Sequence, residues 1–314
     1  MKIVICPNQT HAWMFLWIFC IAYGTVILAD EPRIQMQDDG SHLTFLAGKR
    51  PMLVYNYAVI SPPAGIDPLY RRSGHIHPLY SPGGKIITDD FSEDHAHQHG
   101  IFFAFVKAKF DGETLDFWNQ HRKTANIKHE KIITTPAQSS LKTVQTHYRL
   151  KDNKTIFRET WTIKPFQYLE CYVIDLNIDI RNVTGQPIKI EKNHYGAFGF
   201  RGAKQWRQPA KSNFKFQTAT GKSRKNGNQS REPWVAMSGK VDNEYCGVAV
   251  IGQRSNYKFP QPVRLHPSMP YFSFAPMALD PFIIKPDETF NSRFRIVTFD
   301  GKPDTKKIDL LAKF

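Results

Sequence analysis

Five of the chain's twelve histidines fall within 25 residues, as Gly74-His75-Ile76-His77-Pro78 and Asp94-His95-Ala96-His97-Gln98-His99-Gly100, with Asp89, Asp90 and Glu93 between them. In an extended segment, side chains two apart share a face, so His75 pairs with His77, and His95 with His97 and His99. Imidazole changes charge near neutral pH and also ligates metals, so three chemistries stay open. Proton transfer would use His77, His97, His99 and His194 as catalytic groups. A divalent ion such as zinc, manganese or iron would take its ligands from His75, His77, His97 and His99, or from three of them with Asp89 or Asp90. The bland alternative is a loop whose histidines bridge polar groups.

A second constellation, Glu191-Lys192-Asn193-His194-Tyr195-Gly196 leading to Arg201, has the form of a strand end that delivers polar side chains to a cleft. Trp118 and Asn119 add an aromatic face beside an amide, the pairing that stacks on a sugar ring and binds its hydroxyls. Asp90, Asn193, Arg201 and His266 complete the candidate substrate-binding set with these two. Trp161, Trp206 and Trp234 fit core packing as well as sugar stacking. The chain has no glycine-rich phosphate loop, GxSxG elbow, HExxH or CxxC pair, so nucleotide-dependent and serine-hydrolase chemistry are unsupported.

The elements that must position these residues are strands. From Tyr172 to Ile180, Tyr172, Ile174, Leu176, Ile178 and Ile180 point one way and Asp175, Asn177 and Asp179 the other. Similar signals cover Leu43–Leu46, Met52–Val59, Ile101–Phe110, Val144–Leu150, Ile156–Ile163, Trp234–Met237, Tyr245–Ile251 and Phe290–Phe299, separated by turn residues. Phe214–Phe216 is a further short strand, and Lys306–Phe314 is the best helical segment. The expected fold is therefore all-β, a large antiparallel β-sandwich with few short helices. No linker divides residues 30–314, which are expected to form a single domain.

Residues 1–29 read as a signal peptide or N-terminal membrane anchor: Lys2 precedes the apolar run from Ala12 to Ala29, and Asp30-Glu31-Pro32-Arg33 follows it. Export places the protein in the periplasm, at the cell surface or outside the cell, and it meets a membrane only if the leader is retained. An export route permits a disulfide between Cys171 and Cys246; two buried free thiols are the other outcome. The net charge is +14, and eight cations with no acid among them lie between Ala203 and Arg231. In an exported chain this 203–231 loop suits an acidic polysaccharide or other polyanion rather than nucleic acid, with a solvated loop as the plain alternative.

The segment Arg72-Ser73-Gly74-His75-Ile76-His77-Pro78-Leu79-Tyr80-Ser81-Pro82, continued by Thr88-Asp89-Asp90-Phe91 and Asp94-His95-Ala96-His97-Gln98-His99-Gly100-Ile101, resembles the signature of a bacterial family labelled "methane oxygenase PmoA". Phe117-Trp118-Asn119, the Tyr195-Gly196 stretch ending at Arg201, and Trp234 with Gly239 fit it too. The label's methane chemistry does not follow, because the membrane subunit of that name is a multi-span helical protein and this chain reads as strands. The order of His97-Gln98-His99-Gly100 and Asn193-His194-Tyr195 is also similar to that in galactose mutarotase-like proteins. That resemblance implies a β-sandwich with an open sugar cleft, His99 at the ring oxygen and His194 as proton donor. The sequence thus points to an exported protein that performs acid–base chemistry on a sugar, or binds one, in a histidine-lined cleft. The alternatives are a metal-dependent hydrolase, lyase or oxygenase and a non-catalytic sugar-binding protein.

Overall fold

A computed structural model describes residues 34–134, 139–207 and 214–314. Residues 1–29, expected to be a signal peptide or anchor, lie outside them. Two eight-stranded sheets make up most of the fold. The first runs β1 (Ile34–Asp38), β2 (His42–Ala47), β3 (Arg50–Asn56), β4 (His75–Leu79), β7 (Ile101–Ala104), β15 (Ala197–Arg201), β20 (Tyr271–Phe274) and β19 (Val263–Leu265). The second runs β10 (Ala125–Ile132), β11 (Leu141–Arg149), β12 (Thr155–Tyr168), β13 (Cys171–Asn182), β22 (Thr289–Asp300), β18 (Glu244–Gly252), β17 (Trp234–Val241) and β16 (Phe214–Thr218). A small sheet joins β21 (Phe282–Ile284), β14 (Ile188–Ile190), β8 (Ala108–Phe110) and β9 (Glu113–Leu115), and β5 (Asp90–Ser92) pairs with β6 (His95–His99). Every pairing between these strands is antiparallel.

Strand β13 shows why the large sheets close on each other. Ile174, Leu176, Ile178 and Ile180 are wholly buried, and each such side chain contributes about 1.5–3 kcal/mol when removed from water. On the outer face Asp175 accepts from Nε and Nη2 of Arg295, on neighbouring β22, at 2.7 and 2.9 Å. The core between the sheets is aromatic, with Phe198 of the first sheet 4.4 Å from Phe294 of the second between ring centroids. The result is the large antiparallel β-sandwich that the alternation predicts.

The expected strand Ile101–Phe110 is two strands, β7 in the first sheet and β8 in the small one. Residues 101–106 are buried on both faces, so alternation does not mark where the chain changes sheets. The expected helix is α1 (Thr305–Leu311), started by Asp304, which accepts from the Lys307 amide at 3.1 Å, and anchored by buried Ile308 and Leu311. Among the described residues no helix is long and apolar enough to cross a membrane.

Cys171 and Cys246 are buried free thiols. They belong to separate core clusters, and burial pushes the Cys246 thiol up to about 12. In protein lacking residues 1–29, Ellman's reagent is expected to react with neither thiol in the native state and with both after denaturation. Fast labelling of either without unfolding would contradict this burial.

Candidate functional site

The β5–β6 hairpin is the centre of the histidine motifs. Along β6, His95, His97 and His99 share one face while Gln98 points to the other, where its Oε1 accepts from Arg201 Nη1 at 2.9 Å. At the end of β6 the chain turns directly into β7 through Gly100, with φ +36°. A Cβ there would lie 2.1 Å from the Ile76 carbonyl oxygen, so only glycine lets β6 pass this close to β4.

The imidazoles form a row. His95 and His97 ring centroids are 5.4 Å apart, and His97 and His121 are 5.6 Å apart. His266 stands 6.1 Å from His95, and His75 and His99 are separated by 5.2 Å. Beside the row is an open hollow of about 420 Å³ lined by Tyr70, Glu93, Asp94, His95, His97 and His121. Burial, reinforced by His95, His99 and His121, pushes His97 down to about 3. Burial first, then Arg264, lowers His266 to about 4. Both rings are therefore neutral at physiological pH, able to accept a proton or a sugar hydroxyl's hydrogen bond.

Behind the row, Asp90 touches two buried histidines. Its Oδ2 is 2.9 Å from His75 Nε2 and its Oδ1 is 2.6 Å from His99 Nδ1. Desolvation pushes the Asp90 carboxyl up, but these two imidazoles overcome it and hold the group well below the ordinary carboxylate range. For His99, burial outweighs Asp90 and lowers it to about 4.

The remaining predicted residues are distributed around this centre. His77, half-buried, bonds Thr88 Oγ1 at 2.9 Å, and burial lowers its pKa. Asp89 accepts from Ser92 Oγ at 2.6 Å and pairs with Arg207 Nε at 2.9 Å. The metal set drawn from the sequence is thus divided: of its two aspartates Asp90 joins His75 and His99, while His77 and His97 face other partners. Arg201 is wholly buried and holds Asp94 with Nη2 at 2.9 and 3.2 Å. It shapes the hollow from behind.

Asn119 and Asn193 lie at a second hollow, of about 310 Å³, with Lys107, Asp116, Arg122 and Tyr195. Asn119 Nδ2 donates to Asp116 Oδ2 at 2.8 Å, and Asn193 Nδ2 to the Tyr195 carbonyl at 2.7 Å. His194 is exposed, its ring 4.9 Å from that of Tyr195, and it does not line the histidine hollow. Trp118 is core, packed 4.4 Å from Phe102 and 1% exposed, so neither face of its ring is open to a sugar. Trp161, Trp206 and Trp234 are also buried.

Among the lining residues that escaped the sequence reading are His121, Tyr70 and Asp67. His121 sits on a short 3-10 turn, Gln120–Arg122, and Tyr70 on another, Pro68–Tyr70. Neither has a period or spacing that ties it to the histidine motifs. In the basic segment, Lys222 pairs with Glu232 at 3.2 Å, Arg224 lies 4.3 Å over the Phe214 ring, and Arg231 donates to the Pro260 carbonyl at 2.8 Å. Several of its cations thus have internal partners. Lys211 lies outside the described residues.

A β-sandwich with a histidine-lined hollow at its β5–β6 hairpin is the class of protein that fold and site define. Residues 42–313 match the model of a family described as "Family of unknown function (DUF6807)", and the chain belongs to it. That description assigns no activity and does not carry the PmoA label. No curated protein matches. Among solved structures, a galactose mutarotase related enzyme from Lactobacillus acidophilus is 9% identical, with a TM-score of 0.38 over 86% of this chain and 98% of that one. A protein from Synechocystis sp. PCC 6803 is 11% identical, with a TM-score of 0.40 over 87% of this chain and 97% of that one. A polysaccharide lyase is 13% identical, with a TM-score of 0.39, and the match covers 90% of this chain but 35% of the lyase.

Proposed function

We propose that this is an exported carbohydrate-active protein whose sugar site is the hollow beside His95, His97 and His121. The observation that carries the proposal is convergence: three imidazoles, the Tyr70 ring and the Glu93 and Asp94 carboxylates line one open hollow. A pyranose offers apolar C–H faces for the tyrosine ring and hydroxyls for imidazole nitrogens and carboxylates. His97, at the middle of the row, is the group placed to accept a proton from a sugar carbon or hydroxyl. Epimerisation and elimination begin from such a transfer, whereas glycoside hydrolysis needs an acid to protonate the leaving oxygen, a role for the Glu93 or Asp94 carboxyl.

Titration calorimetry with a panel of neutral and acidic mono- and oligosaccharides tests this reading. One class is expected to bind, and Tyr70→Ala is expected to weaken it at least tenfold. If the site is catalytic, His97→Ala retains measurable binding and loses turnover at least a hundredfold; if it only binds, His97→Ala lowers affinity alone. Sugar binding indifferent to both substitutions would remove the hollow from consideration.

A further inference from the structure

The contacts around Asp90 point to a second site, independent of the sugar reading. The Gln120 amide is oriented by its surroundings: Nε2 donates to the Arg71 carbonyl at 3.1 Å and faces the Leu69 carbonyl and Asn126 Oδ1 at 3.4 Å each. Its Oε1 therefore faces His99 Nε2, at 3.4 Å. His99 Nδ1 lies 2.6 Å from Asp90 Oδ1, so the ring stands between two oxygen acceptors, and a neutral imidazole has one proton for the two.

His75 Nε2 lies 2.9 Å from Asp90 Oδ2 and 3.4 Å from Asn56 Nδ2, an amide held by its 2.6 Å bond to the His77 carbonyl. The other ring nitrogen of His75, Nδ1, is buried without a partner. One ligand atom from each of His75, Asp90 and His99 lies within 4.8 Å of the other two. A proton on each ring can bridge to the carboxylate, and one metal ion can take the place of both.

We infer that His75 Nε2, His99 Nδ1 and an Asp90 oxygen form a binding site for one first-row divalent metal ion. Two nitrogens and one oxygen suit zinc, iron(II) and manganese, and leave coordination positions for water or ligand. Bonds of about 2.05 Å at a tetrahedral angle place ligand atoms roughly 3.3 Å apart, so the contact between the ligating Asp90 oxygen and its imidazole, now 2.6 or 2.9 Å, lengthens on uptake. Gln120 accepts the His99 Nε2 proton, as groups outside a metal's ligand shell do.

The test is elemental analysis of untagged protein after separate dialysis against zinc, manganese and, without oxygen, iron(II). At least one of these is expected at about one ion per chain. Asp90→Asn and His99→Ala are each expected to lower occupancy more than tenfold, whereas His97→Ala, outside the ligand set, keeps it. Folded wild-type protein that takes up none of the three overturns the inference. So does loss of metal in His97→Ala equal to that in His99→Ala. Should both ligand variants fail to fold, X-ray absorption on the loaded wild type decides: two imidazoles support the site, and fewer than two refute it.

Discussion

Gly100→Ala is expected to cost more than about 4 kcal/mol of folding stability, beyond the range of ordinary substitutions. A Cβ at this position meets the Ile76 carbonyl oxygen at 2.1 Å and His77 Cβ at 3.0 Å. Both neighbours belong to β4, which pairs with β3 on one side and β7 on the other, so the obstruction cannot move without disturbing the first sheet. The Gly100 amide also donates to the Asp89 carbonyl at 2.8 Å and its carbonyl accepts from the Arg201 amide at 2.7 Å, so the residue ties the hairpin to β15. Gly112→Ala is the control. That glycine also has positive φ, +76°, but nothing lies within 4 Å of the added carbon, so only backbone strain of about 1–2 kcal/mol applies. Urea denaturation compares the two. Equal losses would show that left-handed strain alone, and not the approach of β6 to β4, governs position 100.

The sandwich was legible in the sequence because half-buried strands write their geometry as alternation. Asp175, Asn177 and Asp179 could only stand opposite Ile174, Leu176 and Ile178 if one face were wet. Where both faces are buried that code fails, and Ile101–Phe110 therefore gave no sign of its change of sheet. The site was legible in part for a similar reason. A period of two correctly puts His95, His97 and His99 on one face, but it cannot say what that face meets. Asp90 turns back against His99 through hairpin pairing, a register that composition does not encode. His121 and Tyr70 arrive on short turns from distant segments. Arg201 shows the limit most clearly, because in sequence it is a cation at the end of a glycine-rich strand and in the fold it is a buried post.

That burial makes Arg201→Met the second large effect. The guanidinium has no exposure and holds Asp94 with Nη2, Gln98 with Nη1 at 2.9 Å, and Asp89 more distantly at 4.0 Å. Methionine fills much of the volume but leaves Gln98 Oε1 buried without its donor and Asp89 with Arg207 as its ion-pair partner. Truncating one side of a buried charge pair costs about 3–5 kcal/mol; Asp94 is 41% exposed and can return to water, so the expected loss is near the lower end, about 3 kcal/mol. Asp94→Ala removes the exposed partner and is expected to cost less. Because the two share one contact, their effects are not additive, and a double-mutant cycle should return a coupling of at least about 1 kcal/mol. The same substitution reaches the hollow. Asp94 lines it and takes its position from Arg201, so sugar affinity should fall in Arg201→Met although the arginine itself touches no solvent. Strict additivity in the cycle, with unchanged sugar affinity, would mean that β15 and the start of β6 are joined by backbone alone and that Arg201 has no part in shaping the site.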